Sequence, residues 1–208
     1  MYKRNQVEEA IAHVLEPESA KPSSEIRTRL KRLLDTDRGL GCNKRSADPE
    51  NANFAFYSAD APGRGVESWF SDYEAFALLT GLGLLRHGLP QGFAVVVLRR
   101  VRPELEKHHA RILKQDPAVQ RIRQQARPGD LDFDNADPVF LVVTSRNRED
   151  RGDSNTAGIC RGQGQLMGFI KAQGAGQAWT VFELVNSVHA LASALAKTRP
   201  RKRGRGSQ

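Results

Sequence analysis

The sequence predicts an α+β fold whose two ends differ in kind. Three observations carry that expectation. Apolar residues recur at helical spacing through most of residues 5–115. One strongly β-biased run, PVFLVVTS, stands at 138–145, inside a region of short extended and helical segments. The charge also changes sign along the chain: residues 1–127 hold 21 Lys/Arg against 16 Asp/Glu, residues 128–196 hold 5 against 8, and residues 197–208 hold 6 against none.

The total of 208 residues suits one ordinary domain or two small ones, and 39% hydrophobic residues suffice for a core. A net charge of +8, weighted to the front and the tail, points to an anionic partner such as nucleic acid, or serves solubility alone. No apolar run reaches the roughly 18–20 residues needed to span a bilayer. The opening MYKRNQVEEA lacks the apolar stretch of a signal peptide. Cys42 and Cys160 form no CxxC pair, so neither a disulfide framework nor a zinc site is expected, and a cytoplasmic location is the default.

From the N-terminus, Val7, Ala10, Ile11 and Val14 sit at i, i+3, i+4 and i+7, the stripe of an amphipathic helix. Residues 16–22 form a loop with two prolines. Ser23 or Ser24 then caps a second helix, and Glu25 in its first turn complements the helix dipole. Ile26, Leu30, Leu33 and Leu34 make its buried face, and Gly39 and Gly41 offer stops. After the polar residues 41–52, NFAFY (53–57) and VESWF (66–70) read as the strands of a hairpin around the turn SADAPGRG.

Ser71 and Glu74 form the S-x-x-E pattern of a capping box for the next helix. Tyr73, Phe76, Ala77, Leu79, Leu82 and Leu85 give it a broad apolar face, Gly88 ends it and Pro90 starts another helix at about 90–101. A third helix is expected from Pro103, with Leu105, Ile112 and Leu113 as its stripe and Pro117 as its end or kink. Residues 127–138 read as a linker. Beyond the strand at 138–145, GICRGQGQLMGFIKAQ reads as Gly-interrupted strands and AWTVFEL as a strand. VNSVHALASALAKT reads as a helix with Val185, Val188, Leu191, Ala192 and Leu195 on one face. The resulting division is 1–102, a helical segment 103–127, a small α+β module 128–198, and a basic tail 199–208.

The order helix, loop, basic helix, hairpin, capped helix, tight turn, helix, long helix resembles the layout of MerR-type winged helix-turn-helix regulators. The resemblance is carried by WFSDYEAFALLTGLGLLRHGLPQGFAVVVLRRV and RTRLKRLLDTDRGL, within about residues 5–115. It implies a DNA-binding transcriptional regulator and a homodimer joined by a long helix. A recognition helix over about 23–38 would enter the major groove, and a hairpin wing over about 53–70 would lie on the backbone. The first helix connection is longer and proline-broken, residues 41–52 are inserted, and no cysteine lies near 103–125 to support a metal-sensing branch.

The expected DNA contacts are Arg27, Arg29, Lys31, Arg32 and Arg38 on the second helix, with Arg64 at the wing tip. Arginine reads guanine bidentately, and both basic types neutralise phosphates. A solvated helix face is the competing reading. The tail residues Arg199, Arg201, Lys202, Arg203 and Arg205 offer non-specific contact through counterion release. Lys44 and Arg45 rank below these. Arg99, Arg100 and Arg102 are expected to end a helix favourably against its dipole. Adjacent His108 and His109 point about 100° apart on a helix and do not chelate one metal. Asp130, Asp132, Asp134 and Asp137 lack the Gly and Glu of a calcium loop.

No nucleophile elbow, HExxH, P-loop or paired-carboxylate pattern appears, so neither an enzyme nor a cofactor is expected. The expected partners are double-stranded DNA and a second copy of the chain, with a ligand or protein at the C-terminal module and no membrane. The alternative is a non-catalytic assembly protein whose C-terminal module binds a partner.

Overall fold

The structure is a computed structural model, and it describes residues 1–19, 21–58, 66–125, 138–145, 157–172 and 178–200. Its elements run β1 (Tyr2–Lys3), α1 (Arg4–Leu15), α2 (Ser24–Leu40), α3 (Pro49–Ala52), β2 (Trp69–Phe70), α4 (Asp72–Arg86), α5 (Gln91–Ile112) and α6 (Pro117–Gln125). They continue as β3 (Val139–Ser145), β4 (Ala157–Arg161), α7 (Gly162–Ala172), β5 (Ala178–Glu183) and α8 (Val185–Lys197). The fold class is α+β, with small antiparallel sheets. The chain divides into two compact units. One is Met1–Arg99 with the chain from Ala190 onward, and the other is Arg100–His189.

The first unit is built around α4. The capping box forms as the spacing predicts: Glu74 N–H donates to Ser71 Oγ at 3.2 Å, and Ser71 N–H donates to Glu74 Oε2 at 2.7 Å. Gly88, at φ 83°, closes the helix and Leu89 N–H reaches back to the Leu84 carbonyl at 3.2 Å. Eleven of the fifteen α4 residues are buried, so the helix has neighbours on nearly every side. Gly81 is where they come closest. A Cβ there would lie 3.2–3.3 Å from Leu33, Leu98 and Phe56. Helices α1 and α2 pack on each other and on α4. Ser23 caps α2 through Ile26 N–H at 3.2 Å, and α2 runs through Gly39 to stop at Gly41, whose φ is 66°.

The expected hairpin is not what the described residues form. β2 pairs antiparallel with β1, Tyr2 opposite Phe70 and Lys3 opposite Trp69, while residues 53–57 run without strand structure. The physical reason lies in two buried carboxylates. Asp37 takes the N–H groups of Ala55 at 3.1 Å and Phe56 at 3.0 Å, and Glu74 takes that of Ser58. These side chains do what a neighbouring strand would have done for the backbone. Phe54, Ala55, Phe56 and Tyr57 are therefore buried outside any sheet.

Arg99 corrects a second expectation. α5 does not end near residue 101 but continues through Pro103 to Ile112. Losing one helical hydrogen bond at a proline is tolerated where the buried stripe persists, here through Leu98, Val101, Leu105 and Ile112. Arg99 is thus mid-helix and buried. Its Nε donates to Asp37 Oδ1 at 2.6 Å, its Nη2 to the Asp37 carbonyl at 2.5 Å and its Nη1 to the Glu50 carbonyl at 3.3 Å. The guanidinium also lies 5.4 Å from the centre of the Phe54 ring. Arg102 is likewise buried within the helix, where it pairs with Glu106 at 3.5 Å rather than capping an end.

In the second unit β3 is the middle of a three-stranded antiparallel sheet in the order β4–β3–β5. Phe140 lies opposite Cys160 on one side and Glu183 on the other. The run 158–173 was expected as strands, but only β4 is one, and α7 follows it directly. Gly162, at φ 73°, turns the chain out of the strand, and Gln165 Oε1 accepts from Arg161 N–H at 2.8 Å. Phe169 then lies over Gly158, where a Cβ would come within 2.8 Å of its ring, and meets Trp179 edge-on at 6.1 Å. Glu183 receives the N–H groups of Val185 at 2.7 Å and Asn186 at 2.9 Å, which opens α8. Burial raises its pKa, and those two bonds work against the rise.

Candidate nucleic-acid interface

α2 carries the densest group of expected contacts, and its buried face is Ile26, Leu30, Leu33, Leu34 and Asp37. At about 100° per residue, Arg27, Lys31 and Arg38 fall within roughly 40° of one another along one flank. Arg29 and Arg32 lie within roughly 60° of each other on the opposite flank. Thr28 and Asp35 occupy the exposed ridge between. The basic residues therefore straddle the outer surface of α2 instead of forming a single row.

Acidic neighbours engage several of them. Arg29 pairs with Glu25 at 2.6 Å, Arg38 with Asp35 at 3.4 Å, and Arg27 approaches Glu8 at 4.0 Å. Arg38 also neighbours the Tyr57 hydroxyl. Burial, offset in part by Arg38, pushes that hydroxyl's pKa up to about 12. Lys31 and Arg32 are exposed and make no side-chain ion pair or hydrogen bond among the described residues. They are the basic side chains on α2 most available to a phosphate. Lys44 and Arg45 sit in the exposed turn before α3.

Arg64 lies outside the described residues, as do Arg201, Lys202, Arg203 and Arg205. What the structure does define is the footing on each side of segment 59–65. Before it, Ser58 is held by Glu74 and the Tyr57 ring stands 6.4 Å from Phe70. After it, Glu67 pairs with Lys3 at 3.0 Å, and Lys3 lies 5.2 Å from the centre of the exposed Trp69 ring. The root of the tail is tied to α1: Gln6 Nε2 donates to Thr198 Oγ1 at 3.3 Å, and Asn5 Nδ2 to the Arg199 carbonyl at 3.5 Å.

The sequence marked Glu74 only as half of a capping box and gave no sign of the role of Asp37. Asp37 and Glu74 bind backbone across gaps of 16–19 residues, and no local pattern marks such a partner. Sequence reading also missed a cavity of about 360 Å³ between α1, the α1–α2 connection and the end of α8. The helix stripe expected to dimerise is mostly covered: Leu105 and Ile112 are buried within the chain, while Leu113, Val119 and Ile122 are exposed. Among the described residues no group of His, Cys, Asp and Glu is placed to hold a metal ion, and no helix is long and apolar enough to cross a membrane. Compared with known proteins, the chain matches no family model, no curated protein and no solved structure.

Proposed function

We propose that the protein is a DNA-binding transcriptional regulator of MerR-like layout that acts at the nucleoid. In this reading α2 enters the major groove. Segment 59–65 with Arg64 touches the flanking backbone, and the basic tail adds non-specific affinity. The observation that carries it is the outer surface of α2, where Lys31 and Arg32 stand exposed and unpaired on a helix whose inner face is anchored by the Asp37–Arg99 pair. An anchored helix loses little freedom on binding, so phosphate and base contacts are not offset by ordering. The dimer in this reading draws on the apolar residues left exposed, Leu113, Val119 and Ile122.

Fluorescence anisotropy with a labelled duplex tests the reading. Affinity falls steeply between low and physiological salt as counterions are released. Lys31→Ala with Arg32→Ala lowers the log–log salt slope by about 2, whereas Lys107→Ala, on exposed α5 surface, leaves operator recognition in place. Duplex affinity that ignores salt, or that Lys31→Ala with Arg32→Ala leaves unchanged, removes α2 from the interface. Chromatin enrichment of the tagged protein then identifies the operator.

A second reading has one observation in its favour. β5 lies at an edge of its sheet, and Val181 on it is exposed. An edge strand with an exposed apolar side chain suits a partner strand. A module that binds a protein there, with the basic charge serving only solubility, predicts no duplex binding at any salt.

A further inference from the structure

The cavity in the first unit is the strongest unassigned feature of the molecule. We propose that it binds a small zwitterion, a molecule of amino-acid to dipeptide size carrying one ammonium and one anionic group. The proposal does not depend on the DNA-binding reading.

Size is the first ground. About 360 Å³ lies at the small end of the ligand-pocket range, roughly 300–1,000 Å³. Ala12 and Ala194 face the space from α1 and α8, both buried, and a methyl group is all that either side chain contributes.

Charge is the second ground. The rim carries both signs: Glu18 and Glu9 against Lys21 and Lys197, with His13 between helix and connection. The side chains of His13, Glu18, Lys21 and Lys197 make no ion pair or hydrogen bond among the described residues. Glu18 and the two lysines share the cavity without pairing, which leaves each of these three free to meet a counter-charge on a guest. A purely cationic guest suits the carboxylates and is repelled by the two ammoniums; a purely anionic guest meets the reverse. A guest with one charge of each sign satisfies both sets, and charge-assisted hydrogen bonds are the strong ones. The Ser19 side chain adds a hydroxyl to the same lining. The lining residues are up to 189 positions apart, from Glu9 to Thr198, yet belong to one unit, in which Gln6 on α1 holds the end of α8.

The test uses the full chain and probes that differ only in charge. Glycine, 4-aminobutanoate and 6-aminohexanoate vary the separation of the two charges; butanoate and butylamine each keep one. Binding is followed by NMR titration of the His13 ring protons, assigned with His13→Asn. At least one zwitterion is expected to bind at least tenfold tighter than both single-charge controls. Lys21→Met with Lys197→Met, and separately Glu18→Gln, are expected to reduce that binding severalfold or more without changing the melting temperature. All three are exposed side chains, so folding is preserved. The proposal is overturned if every zwitterion binds no tighter than the controls, or if tight binding survives both sets of substitutions.

Discussion

Helices α4 and α7 have similarly apolar, glycine-containing sequences and opposite surroundings. Eleven of fifteen residues of α4 are buried, whereas none of the eleven residues of α7 is. α4 is the centre of a unit whose other helices wrap it. α7 lies on a three-stranded sheet and holds on through the Phe169 ring over Gly158. Apolar composition thus states what a helix is able to bury, and its neighbours decide how much it does bury. A related contrast runs through the polar groups. In the first unit the buried Asp37 and Glu74 bind backbone 16–19 residues away, while in the second the half-buried Glu183 binds the adjacent N–H groups that open α8.

The contrast is broken or sharpened by a graded series of substitutions. Asp37→Ala and Phe76→Ala should cost most, about 3–5 kcal/mol each. The first leaves the Arg99 charge buried without its partner; the second empties a fully buried ring site. Urea denaturation reads both, and a loss under 1 kcal/mol for either would mean that α4 is not the centre of its unit. Arg99→Met added to Asp37→Ala should recover part of the loss, since the orphaned charge is then gone.

Phe169→Ala should cost less, about 1–2 kcal/mol, because the ring is only half-buried. Its signature is local: amide exchange accelerates across residues 162–172 while α4 stays protected. Global unfolding instead would show that α7 is as integral as α4.

Acid should weaken the second unit. Burial lowers the pKa of His108, with Arg111 adding to the effect, and burial lowers that of His189. A depressed imidazole contributes stability that is present above the unfolded value, 6.5, and is lost as pH falls through the folded one. Glu183 acts in the opposite sense. Its raised pKa favours the fold below 4.5, and that contribution fades as pH rises through the folded value. Melting temperature should therefore drop between pH 7 and pH 5, and His189→Leu should flatten the drop. An unchanged slope in that variant would assign the acid sensitivity elsewhere. Smallest of all, Lys31→Ala with Arg32→Ala should change stability by no more than about 0.5 kcal/mol, so any loss of DNA affinity in that variant belongs to the interface.

Much of the first unit was legible from local pattern. The stripe of α1, the Ser23 cap of α2, the Ser71–Glu74 box and the Gly88 stop each depend on residues within a few positions of one another. The exposure of Lys31 and Arg32 followed from the same periodicity. What was not legible depends on distant partners. Residues 53–57 carry the aromatics of a strand, yet their N–H groups go to Asp37 and Glu74. Arg99 looked like a helix end because Pro103 follows closely, and only the buried Asp37 explains its place. The glycines after Cys160 suggested broken strands, and Phe169 stacking on Gly158 makes a helix of them.

The sequence by itself therefore determined the α+β class, most helix boundaries in residues 1–112 and the basic character of α2, because each rests on short-range spacing, capping and charge. Tertiary structure decided where buried polar groups find their partners, which apolar faces are covered and which charges share a cavity. Those outcomes join residues 16 to nearly 200 positions apart, as in Glu74 with Ser58 and Gln6 with Thr198. Hydrogen-bond satisfaction and close packing in three dimensions select such partners, and no local pattern encodes them.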